Sequence, residues 1–168
     1  MRYKFFTFVS VLVFLITFLG CGGKKANKPI EVYGGMSIPG LGVSIEASYD
    51  PRLDNLAPGY KVLNVAMLND SFRIIPLSPE RDKWWIKTSK NEKKKYEVIC
   101  DLRLYDSKAW HAIPANARKH IGYPLALPIG GRQVVDLFVK EDVPVEDFSE
   151  IIIYLSGLEA TIKLLPRQ

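Results

Sequence analysis

The stretch EIIIYLSGLEATIKLL, residues 150–165, decides the fold of this chain. After Ser156-Gly157 every second residue is apolar and the residues between them are polar or charged, which is typical of a half-buried strand. Ser-Gly between two apolar runs is a β-hairpin signal. The stretch therefore predicts two strands joined at this turn. The predicted inward set after it is Leu158, Ala160, Ile162 and Leu164, and the outward set is Glu159, Thr161 and Lys163.

The same alternation recurs upstream. It predicts strands at VSIEASYD (43–50), YEVICDLRLYD (96–106) and RQVVDLFVKED (132–142), a central strand in YKVLNVAMLND (60–70) and a further strand in FRIIPL (72–77). The one helix candidate runs from Pro114 to Ile121. About seven strands in a domain of roughly 140 residues predict an all-β fold, either a two-sheet sandwich or a barrel.

The order of strands and turns from Gly59 to Leu165 resembles the immunoglobulin-like, telokin-related domains found in bacterial lipoproteins. The residues that carry the likeness are GYKVLNVAMLND (59–70) and LPIGGRQVVDLFVKEDVPVEDFSEIIIYL (127–155). The resemblance implies an all-β, immunoglobulin-like β-sandwich of about seven strands, and it implies no catalytic residue. RDKWWIKTSKNEKKKYE (81–97) and the insertion at 107–127, where a short helix or irregular segment is expected, depart from the family pattern.

The first twenty residues have the outline of a secretory signal peptide. Arg2 and Lys4 precede an apolar run from Phe5 to Leu19. As a helix this run would be roughly 22 Å long, which is short of the ~30 Å hydrocarbon core that a permanent span must cross. The sequence therefore predicts a removable signal peptide over residues 1–20.

Residues Phe18-Leu19-Gly20-Cys21 resemble the lipobox of bacterial lipoproteins, although Phe18 stands where the family prefers Leu. The resemblance implies cleavage before Cys21, lipid on its thiol, and a membrane anchor in the cell envelope. Gly22 in place of Asp favours the outer membrane, with the periplasmic or surface face left open. Residues 21–29 form the predicted lipidated, basic tether, and residues 30–168 form the predicted β-sandwich domain.

Charge and cysteine content exclude several classes of protein. Removing residues 1–20 takes away Arg2 and Lys4 and lowers the formal net charge from +5 to +3. The dense basic run Lys93–Lys95 lies in SKNEKKKYEV (89–98), where a polar turn is expected, so no nucleic-acid module is predicted. With Cys21 lipidated, Cys100 has no partner for a disulfide, and the alternation places it on the core side.

The sequence predicts no catalytic, metal or cofactor site. His111 and His120 are nine residues apart, with no Cys, Asp or Glu between them to complete a zinc site. Ser71, Ser107 and Ser156 lie in predicted turns without a nucleophile motif.

Aromatic residues are the candidate binding surface. Trp84 and Trp85 are adjacent, so in a strand one of them points away from the core, and the insertion adds Trp110 and Tyr123. The alternative is that the insertion folds over one sheet and buries them. We therefore expect a lipid-anchored envelope protein whose β-sandwich binds or scaffolds without catalysis and contacts another envelope protein. The alternatives are a carrier of a small apolar ligand or glycan and, less favoured, a hydrolase.

Overall fold

The computed structural model describes residues 28–38 and 40–166. The predicted signal peptide, Cys21 and the tether as far as residue 27 lie outside the described residues. The strands are β1 (Ile30–Tyr33), β2 (Ser37–Ile38), β3 (Val43–Tyr49), β4 (Tyr60–Asn69), β5 (Ile75–Pro76), β6 (Lys83–Thr88), β7 (Asn91–Val98), β8 (Ala126–Leu127), β9 (Arg132–Lys140), β10 (Phe148–Leu155) and β11 (Ala160–Leu165). The helices are α1 (Leu102–Tyr105), α2 (Ser107–Ala112) and α3 (Ala115–Arg118), with 3-10 turns at Pro51–Leu53 and Val145–Asp147.

The strands form two main sheets that pack face to face. The first sheet has the order β1-β11-β10-β6-β7 and the second the order β2-β3-β4-β9, while β5 and β8 form a separate pair. Of the strands with six or more residues, the first, second and fifth along the chain (β3, β4 and β9) share one sheet, and the other four share the opposite sheet. This exchange between sheets defines an immunoglobulin-like sandwich. The predicted all-β sandwich is confirmed, and the two open sheets exclude the barrel alternative.

The core between the sheets follows the period-two pattern. Ile45 and Val65 from one sheet pack in the same cluster as Ile153 and Ile162 from the other. The predicted hairpin at Ser156-Gly157 joins β10 to β11, and Leu155 pairs with Ala160 across it. The strand alternation in the sequence therefore places the inward faces of β3, β9 and β11 correctly.

The predicted strand at 96–106 is wrong beyond Val98, because the chain turns into helix α1. The Asp101 carboxylate accepts a backbone N–H of the first turn at 2.9 Å, and Asp106 caps α2 in the same way at 3.0 Å. Aspartate at the N-cap satisfies an amide that has no partner in the helix. Leu102 is buried and Leu104 is exposed, although a strand would have put them on one face.

Three short helices fill the segment between β7 and β8, where one short helix or an irregular insertion was expected. The helix predicted at 114–121 is only Ala115–Arg118, and Pro114 precedes it as the N-cap residue. The helices cover the outer face of the second sheet, where Leu102, Ala109 and Ile113 pack with Phe138 in a second apolar cluster. No helix among the described residues is both long enough and apolar enough to cross a membrane.

Candidate binding surface

Trp84 and Tyr123 lie in the core between the sheets and do not offer their rings to a partner. The Trp84 indole N–H donates to the Tyr123 hydroxyl at 3.3 Å, and that hydroxyl donates to the Asp82 carboxylate at 2.9 Å. Burial, together with the nearby Asp82 carboxylate, raises the pKa of Tyr123. Both polar groups are satisfied inside the protein, which is how buried Trp and Tyr are accommodated.

Trp85 and Trp110 are half-buried on the outer faces of different sheets. Trp85 is beside Ile152 in the outer face of the first sheet. Trp110, on α2, packs against the second apolar cluster, with the Arg103 guanidinium 5.7 Å from its ring centre. The four aromatic residues of the sequence prediction therefore do not form one surface. The insertion covers the outer face of the second sheet, as the alternative interpretation expected, but Tyr123 joins the main core.

β7 lies at one of the two outer edges of the first sheet and is the longer of the two edge strands. One edge of β7 pairs with β6, from Asn91 opposite Thr88 to Val98 opposite Trp84. Within the described residues no strand pairs with the other edge of β7. Just after β7 ends, a single β-bridge joins Ile99 to Phe138 of the second sheet through two backbone hydrogen bonds. A row of backbone donors and acceptors is thus left for a partner strand.

The lysine run Lys93–Lys95 lies within β7, so the polar turn expected there is wrong. The turn between β6 and β7 falls at Ser89 and Lys90 instead. All three lysines are exposed, and Lys94 lies over the ring of Tyr96 with 4.5 Å between its Nζ atom and the ring centre. The alternation of side chains continues backward from Val98 through Tyr96 to Lys94. This pattern is the sequence signal that would have placed the lysines on a strand.

Two clefts border the open edge of β7. The first, of about 270 Å³, lies between β7, β9 and the insertion. The second, of about 350 Å³, lies along β7 itself and shares Glu97, Ile99 and Lys140 with the first. Both combine aromatic side chains with charges of both signs, and the acidic residues are Asp82, Glu97, Asp106 and Asp142. The basic ones are Lys83, Lys94, Lys95 and Lys140, and the aromatic ones are Tyr60, Trp84, Tyr96, Tyr105 and Phe138.

Tyr60 connects the two sides of the first cleft. The Lys140 ammonium donates to the Tyr60 hydroxyl at 2.6 Å, and this hydroxyl donates to Asp106 at 2.9 Å. Burial raises the pKa of Tyr60, while the N–H of Ala109 and the Tyr60 hydroxyl lower the pKa of Asp106. The arrangement holds a lysine, a neutral phenol and a carboxylate in fixed positions. No motif in the sequence pointed to Tyr60, Lys140 or Asp106, which come from separate elements.

Cys100 lines the first cleft but is protected. Its side chain is buried, and burial raises the pKa of the thiol to about 12. A thiol of that kind is a poor nucleophile at neutral pH because little thiolate is present. Among the described residues there is no group of three or more potential metal ligands. The Nδ1 atom of His111 is hydrogen-bonded to the carbonyl oxygen of Ser107 in its own helix, at 2.7 Å.

Comparison of the chain with protein-family models, curated proteins and solved structures finds no significant match. The fold and the site together define a β-sandwich with an unpaired strand edge that carries Lys93–Lys95, beside clefts lined by aromatic side chains and by charges of both signs. What such a surface binds follows from the chemistry of the residues that line it.

Proposed function

We propose that this chain is a lipid-anchored protein of the bacterial cell envelope whose β-sandwich binds an extended, acidic segment of another envelope protein, without catalysis. The anchor is expected on Cys21, and the lipobox-like residues 18–21 support it. The observation that carries the binding proposal is the outer edge of β7, which has no strand partner over Asn91–Val98 within the described residues.

The backbone of β7 supports strand addition as the mode of binding. An extended peptide can continue a sheet at an open edge, where main-chain hydrogen bonds supply affinity and side-chain pockets supply specificity. β7 is eight residues long, which is enough to pair with a segment of several residues. The two clefts along its edge accommodate the side chains that such a segment points toward the domain.

Charge supports an acidic partner. Lys93, Lys94 and Lys95 are exposed on β7 and outnumber Glu92 and Glu97 of the same strand, and Lys140 lies in both clefts. Lysines on an edge strand discourage pairing with arbitrary neutral strands. The same lysines attract a segment rich in Asp and Glu, so the edge discriminates among partners by charge.

The anchor is tested by replacing Cys21 with Ala in the full-length chain and fractionating cells. Loss of the chain from the membrane fraction is expected, since the acyl chains on the thiol hold it there. Membrane association that is unchanged by Cys21→Ala would rule out lipid attachment at this residue.

The binding edge is tested by placing a photo-cross-linking side chain at position 95 in intact cells, with position 119 on the insertion as the matched control. Both positions are exposed lysines. We expect an envelope protein to be captured from position 95 only, through an acidic extended segment mapped by mass spectrometry. Reversal of charge in Lys93→Glu with Lys94→Glu is expected to abolish capture, and Lys108→Glu with Lys119→Glu to leave it unchanged. Equal capture from both positions would contradict binding at the edge.

A glycan in the first cleft is the second candidate, because Tyr105 is half exposed at its rim and Lys83 lies 5.9 Å from the centre of that ring. Aromatic faces with nearby polar groups are common contacts for sugars. The two proposals differ in one measurement. If Tyr105→Ala abolished ligand binding while Lys93→Glu with Lys94→Glu bound the ligand fully, the result would favour the glycan over the protein segment.

A further inference from the structure

One end of the sandwich carries exposed apolar side chains on two neighbouring loops. They are Phe72 at 99% exposure, Leu125 at 77%, Ile74 at 61% and Ile129 at 57%. We call these four residues the apolar end. Single exposed apolar residues are ordinary on a protein surface, but a group that lies together marks a contact site.

Asn69 brings the two loops together. Its side-chain amide donates to the carbonyl of Arg73 at 2.8 Å and to the carbonyl of Leu127 at 2.9 Å. Its own backbone carbonyl accepts the N–H of Gly130 at 2.9 Å. Asn69 is fully buried, so this one side chain fixes both loops and keeps their apolar tips on the same end of the domain.

The chain enters the domain at this same end. β1 runs parallel to β11, with Ile30 opposite Ile162, so Lys28 lies level with the start of β11. The turn before β11 touches the β5–β8 pair, since a Cβ atom on Gly157 would lie 2.1 Å from the Pro76 carbonyl oxygen. Ile74 and Leu125 directly precede the two strands of that pair.

The length of the tether limits how far the apolar end can be from the bilayer. Six residues lie between Cys21 and Lys28, so the two are seven Cα–Cα steps apart. A chain spans at most about 3.6 Å per residue, so a lipid on Cys21 keeps Lys28 within about 25 Å of the membrane surface. The tether by itself sets no such close limit on the opposite end of the sandwich, where β6 turns into β7.

We infer that the apolar end rests on the lipid bilayer and orients the sandwich, so that the β6–β7 turn and the neighbouring lysines of β7 lie toward the end away from the membrane. This inference rests on the proposed lipid anchor at Cys21. Charges of both signs border the apolar end, with Arg73 and Arg132 beside Asp70 and Glu159, so the contact is mainly apolar and depends little on anionic lipid.

The test uses the full chain, produced with its leader and reconstituted in vesicles of phosphatidylethanolamine and phosphatidylglycerol. A polarity-sensitive fluorophore is attached to Phe72→Cys or Leu125→Cys, and to Asn91→Cys as the control at the opposite end. Cys100 is buried and does not compete for the label. Quenching by lipids that carry a nitroxide at the top of the acyl chain is expected to be several-fold stronger at positions 72 and 125 than at 91. Replacing phosphatidylglycerol with phosphatidylcholine should leave this difference in place.

The outcomes separate this inference from the anchor. Equal quenching at all three positions in a chain whose Cys21 is shown by mass spectrometry to be lipidated would overturn the docking and leave the anchor standing. An unmodified Cys21 in a chain that stays in the aqueous phase would overturn both. A fluorescence change at 72 and 125 that appears only when envelope proteins are added would assign the apolar end to a protein partner and overturn docking on lipid. Labelling at Ile129→Cys repeats the measurement at a second loop position.

Discussion

Replacing Asp82 with Ala is expected to destabilise the sandwich strongly, because one buried carboxylate holds three segments together. Its Oδ1 atom accepts the N–H and the hydroxyl of Ser156 at 2.8 and 2.6 Å. Its Oδ2 atom accepts the N–H of Ser78 and the hydroxyl of Tyr123 at 2.8 and 2.9 Å. The loop before β6, the β10–β11 turn and the segment that precedes β8 are thus tied to one side chain.

The magnitude follows from the donors left behind. A buried donor that loses its acceptor costs about 1–3 kcal/mol, and Ser78 and Ser156 lie at the low end of that range because they are half-buried and water can reach them. Loss of the carboxylate should therefore lower the free energy of unfolding by about 3–5 kcal/mol. For a domain of this size that corresponds to a fall in Tm of roughly 10–15 °C.

Urea unfolding followed by tryptophan fluorescence measures this directly, because Trp84 is bonded to the same Tyr123 hydroxyl. Glu80→Ala is the matched control: Glu80 is exposed in the same loop, and a change below about 0.5 kcal/mol is expected. A double-mutant cycle with Tyr123→Phe should give a coupling of about 1 kcal/mol, since the two side chains share a hydrogen bond. A loss below about 1 kcal/mol in Asp82→Ala, or no coupling in the cycle, would refute the reasoning.

Three further predictions concern stability and reactivity. Cys100 should resist iodoacetamide at pH 8 in the folded chain and react in urea. Because its pKa is raised from 9.0 to about 12, its contribution to stability is complete below pH 9 and declines as the pH rises toward 12. Cys100→Ala should lessen the fall in stability over this pH range without abolishing it, since the raised pKa values of Tyr60 and Tyr123 act in the same direction. Gly157→Ala should destabilise the chain by about 2 kcal/mol or more, because the added Cβ atom would clash with the Pro76 carbonyl. Gly122→Ala should leave thermal unfolding nearly unchanged, because the space around Gly122 is open. Lys87→Met should destabilise the chain by about 1–3 kcal/mol, because it removes the ammonium that lies 2.7 Å from the carboxylate of the largely buried Glu150. Lys90→Met breaks an exposed ion pair with Asp147 and should change stability by less than about 0.5 kcal/mol. If Lys90→Met lowered the free energy of unfolding as much as Lys87→Met, burial of the ion pair would not determine its contribution to stability.

Much of the fold was predictable because the alternation of side chains along a strand is local. β3, β9, β10 and β11 match the predicted strands closely, and the hairpin at Ser156-Gly157 is where the Ser-Gly pair placed it. The alternation failed at 99–106, where Leu102 and Leu104 continue the period but Asp101 and Asp106 cap helices. Two aspartates spaced for N-caps were the signal that outweighed the alternation.

The candidate site was much less predictable. Trp84 and Tyr123 were selected as surface aromatics, and both are buried because Asp82, from another segment, satisfies the Tyr123 hydroxyl. The open edge of β7 could not be foreseen either, because it depends on which strands pair and on how the insertion leaves β7. The cleft beside it draws Tyr60, Lys140 and Asp106 from three distant segments.

The sequence by itself determined the class of fold, the inward faces of β3, β9 and β11 and the burial of Cys100, because these follow from backbone geometry and local polarity. It also carries the lipobox-like signal at Cys21, which is a linear motif. Tertiary structure alone decided which strand lies at an edge, which aromatic rings are covered and which charges face one cleft. These depend on contacts between residues far apart in the chain, and no local pattern records them.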